Sequence, residues 1–188
     1  LNQESQEQIA VVGIGNLLLT DDGIGIHALR ELEARYTFPE NVDLLDGGTM
    51  GLDLLPFLEG KDRILFLDAV NFRKGPGTIG ELNDSEIPGF FATKLSVHQI
   101  ALPDLLGAGK LLGTLPERMC LIGIEPESIE TGYGLSPRLG ERMEDYLSTV
   151  LNKLVEWNVH TAAVNNENNA RSIGHSAPGI LKPLTPGL

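Results

Sequence analysis

Three aspartates stand where strands should end, and one histidine stands where a helix should begin. Asp22 closes a loop over residues 16–22, Asp46 follows the run Val42-Asp43-Leu44-Leu45, and Asp68 follows Ile64-Leu65-Phe66-Leu67. His98 lies in Ser96-Val97-His98-Gln99, ahead of an apolar helical pattern. Two carboxylates with an imidazole suit a divalent borderline cation such as nickel or zinc, with coordination positions left open for water or substrate. The same carboxylates can also deprotonate a water for hydrolysis. Each residue also has a purely structural use. Asp46 before Gly47-Gly48 can accept turn amides, Asp22 can cap a helix starting at Gly23, and His98 can sit at a helix start. Asp68 is the hardest to read that way, because a carboxylate at the end of a buried strand is costly unless paired, ligated or hydrogen-bonded.

The elements that must position these groups follow from the apolar periodicity. Ile9-Ala10-Val11-Val12-Gly13-Ile14 reads as a strand covered on both faces. From Gly23 the period becomes helical, with Ala28, Leu29, Leu32 and Tyr36 on one side. Val42–Leu45 and Ile64–Leu67 read as further strands, with a short helix around Leu52, Leu55, Phe57 and Leu58 between them. Thr78–Leu82 predicts an edge strand after the turn at Gly75-Pro76-Gly77. Residues 96–112 predict a helix with Pro103 in its first turn, and residues 119–124 another buried strand. Ser136 as N-cap and Pro137 at the first helical position open a final amphipathic helix. Alternation of strands and helices implies a single three-layer α/β/α sandwich around a mainly parallel, twisted five-stranded sheet. Ligands of such sheets bind at the carboxyl ends of the strands. The expected division is a flexible N-terminus over 1–7, one domain over 8–157, and a disordered tail over 158–188, where the composition turns to Asn, Gly and Pro.

Composition narrows the function classes. The chain has 188 residues, 26 Asp and Glu against 14 Lys and Arg, and a net charge of -12, which repels nucleic acid and anionic membrane surfaces. The single cysteine, Cys120, excludes an internal disulfide framework, and neither a signal-like segment nor an apolar run of about 20 residues occurs, so a cytoplasmic protein is expected. Gly13-Ile14-Gly15 lacks the third glycine of a dinucleotide fingerprint, since position 18 is leucine, so no nucleotide is expected.

The segments Gly13-Ile14-Gly15-Asn16-Leu17-Leu18-Leu19-Thr20-Asp21-Asp22-Gly23-Ile24-Gly25, Leu45-Asp46-Gly47-Gly48-Thr49, Leu67-Asp68-Ala69 and Lys94-Leu95-Ser96-Val97-His98-Gln99 resemble, in order, the motifs of the nickel–iron hydrogenase maturation endopeptidases. The likeness continues through Gly123-Ile124-Glu125-Pro126-Glu127-Ser128 and Gly134-Leu135-Ser136, covering roughly residues 8–157. The resemblance implies an endopeptidase that removes the C-terminal extension of a hydrogenase large-subunit precursor after nickel insertion. It implies metal contacts from Asp22, Asp68 and His98, catalytic carboxylates at Asp22, Asp68 and Asp46, and a nickel ion that belongs to the precursor. Many relatives carry Glu where this chain has Asp22, so the reach there is one methylene shorter. The other class compatible with the same residues is a non-catalytic nickel-binding chaperone of the immature subunit.

Overall fold

A computed structural model of the chain describes residues 6–92 and 101–164. The run Ile9–Ile14 forms β1 and is apolar throughout because neither of its faces meets water. The chain then passes through a single 3₁₀ turn, Thr20–Gly23, into α1 (Ile24–Arg35), a two-residue strand β2 (Tyr36–Thr37) and β3 (Val42–Gly48). A second 3₁₀ turn, Gly51–Leu54, leads to the short α2 (Leu55–Leu58), then to β4 (Arg63–Ala69) and β5 (Ile79–Asn83). The remaining elements are α3 (Glu86–Ala92), α4 (Ala101–Leu112), β6 (Arg118–Ile124), α5 (Pro137–Glu156) and the two-residue β7 (Ala162–Ala163).

The sheet order is β3-β1-β4-β6-β5. β3, β1, β4 and β6 run parallel, and β5 closes one edge antiparallel to β6. Alternate residues feed two cores. Val11, Leu65, Leu67 and Ile122 face Ala28, Leu29 and Leu32 of α1 and Leu139, Tyr146, Leu147 and Val150 of α5. Val12, Ile64, Phe66 and Leu121 face Leu58 of α2, Ile87 of α3 and Leu102, Leu105 and Leu106 of α4. Each fully buried aliphatic chain contributes about 1.5–3 kcal/mol. The three-layer α/β/α sandwich with a five-stranded, mainly parallel sheet is therefore the fold that the alternation of elements implies. The Ser136 side chain accepts the Leu139 amide at 3.3 Å, and Pro137 opens α5, as their order in the sequence predicts.

Some expectations need correction at their edges. The ordered domain does not stop at 157. Val159 is buried, Ala162–Ala163 pair with Tyr36–Thr37, and the Val164 amide donates to the Arg35 carbonyl at 2.9 Å. This return strand is held by backbone hydrogen bonds and one valine, so it leaves no apolar cluster in the sequence. Glu7, expected in the flexible N-terminus, pairs with Arg63 at 2.8 Å and Arg118 at 3.0 Å. Helix α3 has no counterpart among the expected elements, because Pro88 and Gly89 lower its helix propensity. The helix expected over 96–112 is present from Ala101, with Pro103 in its first turn. Residues 96–100 of that expectation, and residues 1–5 and 165–188 of the two termini, lie outside the described residues.

Candidate active site at the carboxyl edge of the sheet

β1 lies between β3 and β4: the chain leaves β1 through α1 to reach β3 on one side, and the next crossover, through α2, passes back over β1 to β4 on the other. A crevice opens at such a switch point. The loop after β1 carries Asp22 and the end of β4 carries Asp68, one from each side of the crevice.

Glycine contacts bring the two together. At Gly25 in the first turn of α1, a Cβ would lie 2.1 Å from the Leu67 carbonyl oxygen and 2.5 Å from that of Ile14, so only glycine lets the helix seat on the ends of β1 and β4. Gly15, at φ +131°, lets the loop fold back until its Cα faces the Asp22 carbonyl, where a Cβ would come within 1.8 Å of the oxygen. Asp22 does not cap α1. Its Oδ2 accepts the Asn16 amide at 2.9 Å and closes the loop on itself.

Asp68 is 6% exposed. Burial pushes its carboxyl up to about 8, the neighbouring charge of Asp22 pushes the same way, and the Ala69 amide, 2.8 Å from Oδ1, opposes both. At neutral pH the free protein therefore holds a protonated acid at Asp68 beside Asp22. Carboxylates whose environments separate their protonation states are suited to general acid and base work, and a cation arriving at the rim would drive the Asp68 proton off.

Asp46 stands apart from this pair. Its register partner on β1 is Gly13, which in turn pairs with Leu67, so Asp46 shares the face of Leu67 while Asp68 alternates to the other. Accordingly Asp46 reaches Arg30 of α1, at 3.7 Å, and the carboxylate that raises the Asp68 pKa is Asp22. His98 lies outside the described residues. Among the described residues no group of three or more His, Cys, Asp and Glu could hold a metal ion. His27 sits in α1, its pKa held below the usual imidazole range first by burial and then by Arg30. Cys120 is buried, with its thiol pushed up to about 12 chiefly by burial, which removes it as a nucleophile.

One residue escapes the sequence reading. Asp21 is fully buried and accepts three backbone amides: Glu127 and Ser128 at 3.0 Å each and Ser136 at 2.6 Å. Around it, Thr20, in the left-handed region at φ 41°, gives its hydroxyl to the Ser128 carbonyl at 2.8 Å and its amide to that of Gly132 at 3.0 Å. The loop bearing Asp22 is thereby fastened to the segment between β6 and α5. The acidic doublet Asp21-Asp22 is the signal that could have found it. The first carboxylate holds the loop and the second is left at the rim.

This α/β sandwich has counterparts among solved structures. The hydrogenase-maturating endopeptidase HybD from Escherichia coli superposes with a TM-score of 0.78 at 40% identity, covering 83% of this chain and 97% of that one. Sequence comparison agrees. A protein named hydrogenase 2 maturation protease in Escherichia coli (strain K12) is 41% identical over 153 residues, 81% of this chain and 93% of the relative. The hydrogenase expression/formation protein HupD of Rhodobacter capsulatus is 36% identical over 166 residues, 86% of this chain and 79% of the relative. The family profile described as hydrogenase maturation protease matches residues 26–153. The chain belongs to the hydrogenase maturation protease family. Among the described residues no helix is long and apolar enough to cross a membrane.

Proposed function

We propose that this protein is the endopeptidase that removes the C-terminal extension of a nickel–iron hydrogenase large-subunit precursor once nickel is in place. The observation that carries the reading is the Asp22–Asp68 pair, one carboxyl buried at the switch point with a second close enough to push its pKa up. Two carboxylates make a poor resident metal site on their own, since they supply few donors and one is held neutral. They fit a cation delivered by the substrate, whose thiolates would complete the coordination. Asp22, Asp68 and His98 would contact the nickel of the loaded precursor, and an empty precursor would leave Asp68 protonated and the rim without a cation.

In the hydrolytic step, a water held between the carboxylates attacks the scissile carbonyl, and its proton passes to an ionised carboxylate. Collapse of the tetrahedral intermediate breaks the C–N bond, and the same proton goes to the leaving amine. Asp46, on the α1 side with Arg30, acts by positioning the chain that enters past Gly47 and Gly48 rather than by moving the proton. Incubating the purified protein with nickel-loaded precursor should shorten the precursor by the mass of its extension. Tight binding without that mass loss would replace the reading with a non-catalytic chaperone of the immature subunit.

A further inference from the structure

Among the described residues, unpaired cations gather at one place, and it lies on the same rim as Asp68. Among the described residues every lysine and arginine pairs with a carboxylate except Arg73, Lys74, Lys110 and Arg138. Lys110 is at the far end of α4, next to the start of β6 and so at the opposite edge of the sheet. The other three gather at the turn ahead of β5. Arg73 and Lys74 are exposed on it, and Arg138, exposed on the first turn of α5, lays its Nε against the Pro76 carbonyl at 3.3 Å. Arg142, one turn further along α5, does the same to the Gly77 carbonyl at 3.2 Å, although its other end is taken by Asp145. The two arginines line an open cleft with Pro76, Gly77, Thr78 and Ile79. The nearest buried acid, Glu125, spends an oxygen on the Lys74 amide, 2.9 Å away. In a chain of net charge -12, a grouping of unpaired cations at one place calls for an anionic occupant.

β5 begins opposite Ile124, the last residue of β6, whose partner on β4 is Ala69, next to Asp68. The cleft is thus two strand spacings from Asp68, roughly 10 Å, a span that about three to five residues of extended chain would cross. A peptide cut at Asp68 carries a terminal carboxylate at the end of its departing segment, and acidic side chains wherever its sequence has them. Along the rim the charge of Asp22 repels such a group, and the turn at Arg73, Lys74 and Arg138 attracts it.

We propose that Arg138, with Arg73 and Lys74, captures a carboxylate of the precursor's C-terminal extension three to five residues past the bond that is cut, and so fixes the direction in which the extension lies. The inference rests on the endopeptidase reading above. It is tested by steady-state cleavage of nickel-loaded precursor by wild type and by the double variant Lys74→Glu/Arg138→Glu, with Arg138→Gln as a milder companion. Both positions are exposed, and matching circular dichroism melts would show that the variants fold. Two exposed charge reversals should raise KM roughly five- to tenfold with kcat within about twofold, and added salt should raise KM for wild type much more than for the double variant. Precursor whose extension acids are changed to Asn and Gln, and precursor lengthened by an uncharged Gly-Ser tail, separate a side-chain carboxylate from the terminal one. The altered precursor that reproduces the raised KM with wild-type enzyme identifies the source. Equal KM and equal salt response in all three enzymes would overturn the capture site while leaving the endopeptidase reading intact. Should wild type bind the precursor without cutting it, the endopeptidase reading fails. The same comparison made with Kd then decides the capture site on its own.

Discussion

Replacing Asp68 by asparagine should stabilise the protein at pH 8 while removing its activity. The carboxyl has its ordinary value of 3.8 in the unfolded chain and about 8 in the folded one, so between those limits the folded state holds more protons than the unfolded. Stability therefore falls as pH rises from about 4 to about 8, the reverse of what a salt-bridged aspartate would give. At about 1.4 kcal/mol per pH unit the interval sets a ceiling near ~5 kcal/mol at pH 8, and loop adjustment that admits water lowers it to about 2 kcal/mol at the least. Asparagine keeps an oxygen for the Ala69 amide and carries no charge to desolvate, so it removes the penalty and little else. Thermal unfolding of both proteins from pH 4.5 to 8.5 measures the effect. The variant should match wild type near pH 4.5 and melt higher at pH 8, by roughly 2–4 °C for each kcal/mol. Parallel pH profiles, or a variant that melts lower at pH 8, would refute the buried neutral acid and the proton inventory built on it.

Three further outcomes are expected. Asp21→Ala strands the amides of Glu127, Ser128 and Ser136 and should cost about 3 kcal/mol or more, read as a lower melting temperature together with lost cleavage, although Asp21 touches no substrate. Gly25→Ala drives a methyl group to within 2.1 Å of the Leu67 carbonyl and should yield little soluble protein, because α1 can no longer seat on the sheet. Cys120 should resist a thiol reagent at pH 8 in the native protein and react fully in urea, since its thiol is buried and pushed up to about 12.

What the sequence reveals and what it hides divide along physical lines. β1, β4, β6 and α5 are legible because Ile9–Ile14, Ile64–Leu67, Met119–Ile124 and the Ser136-Pro137 start carry their burial and capping in residue type. The same alternation places Asp22 and Asp68 at one edge, and the buried strand ahead of Asp68 marks it as the costly acid. Interactions made by the backbone leave no such trace. The β2–β7 pairing depends on amides and carbonyls that every residue has, and the role of Asp21 depends on three amides more than 100 positions away. Asp46 lies near the carboxyl end of β3 as Asp68 does of β4, but its register with Gly13 turns it toward Arg30, and register is a property of the assembled sheet.

Cleavage that waits for a cation carried by the substrate to meet Asp22 and Asp68 is tested most directly by side-by-side digestion of nickel-loaded and nickel-free precursor, followed by mass spectrometry of the intact subunit. The account predicts loss of the extension from the loaded precursor alone, and no loss from either with Asp68→Asn. Equal cleavage of loaded and empty precursor by wild type would contradict it.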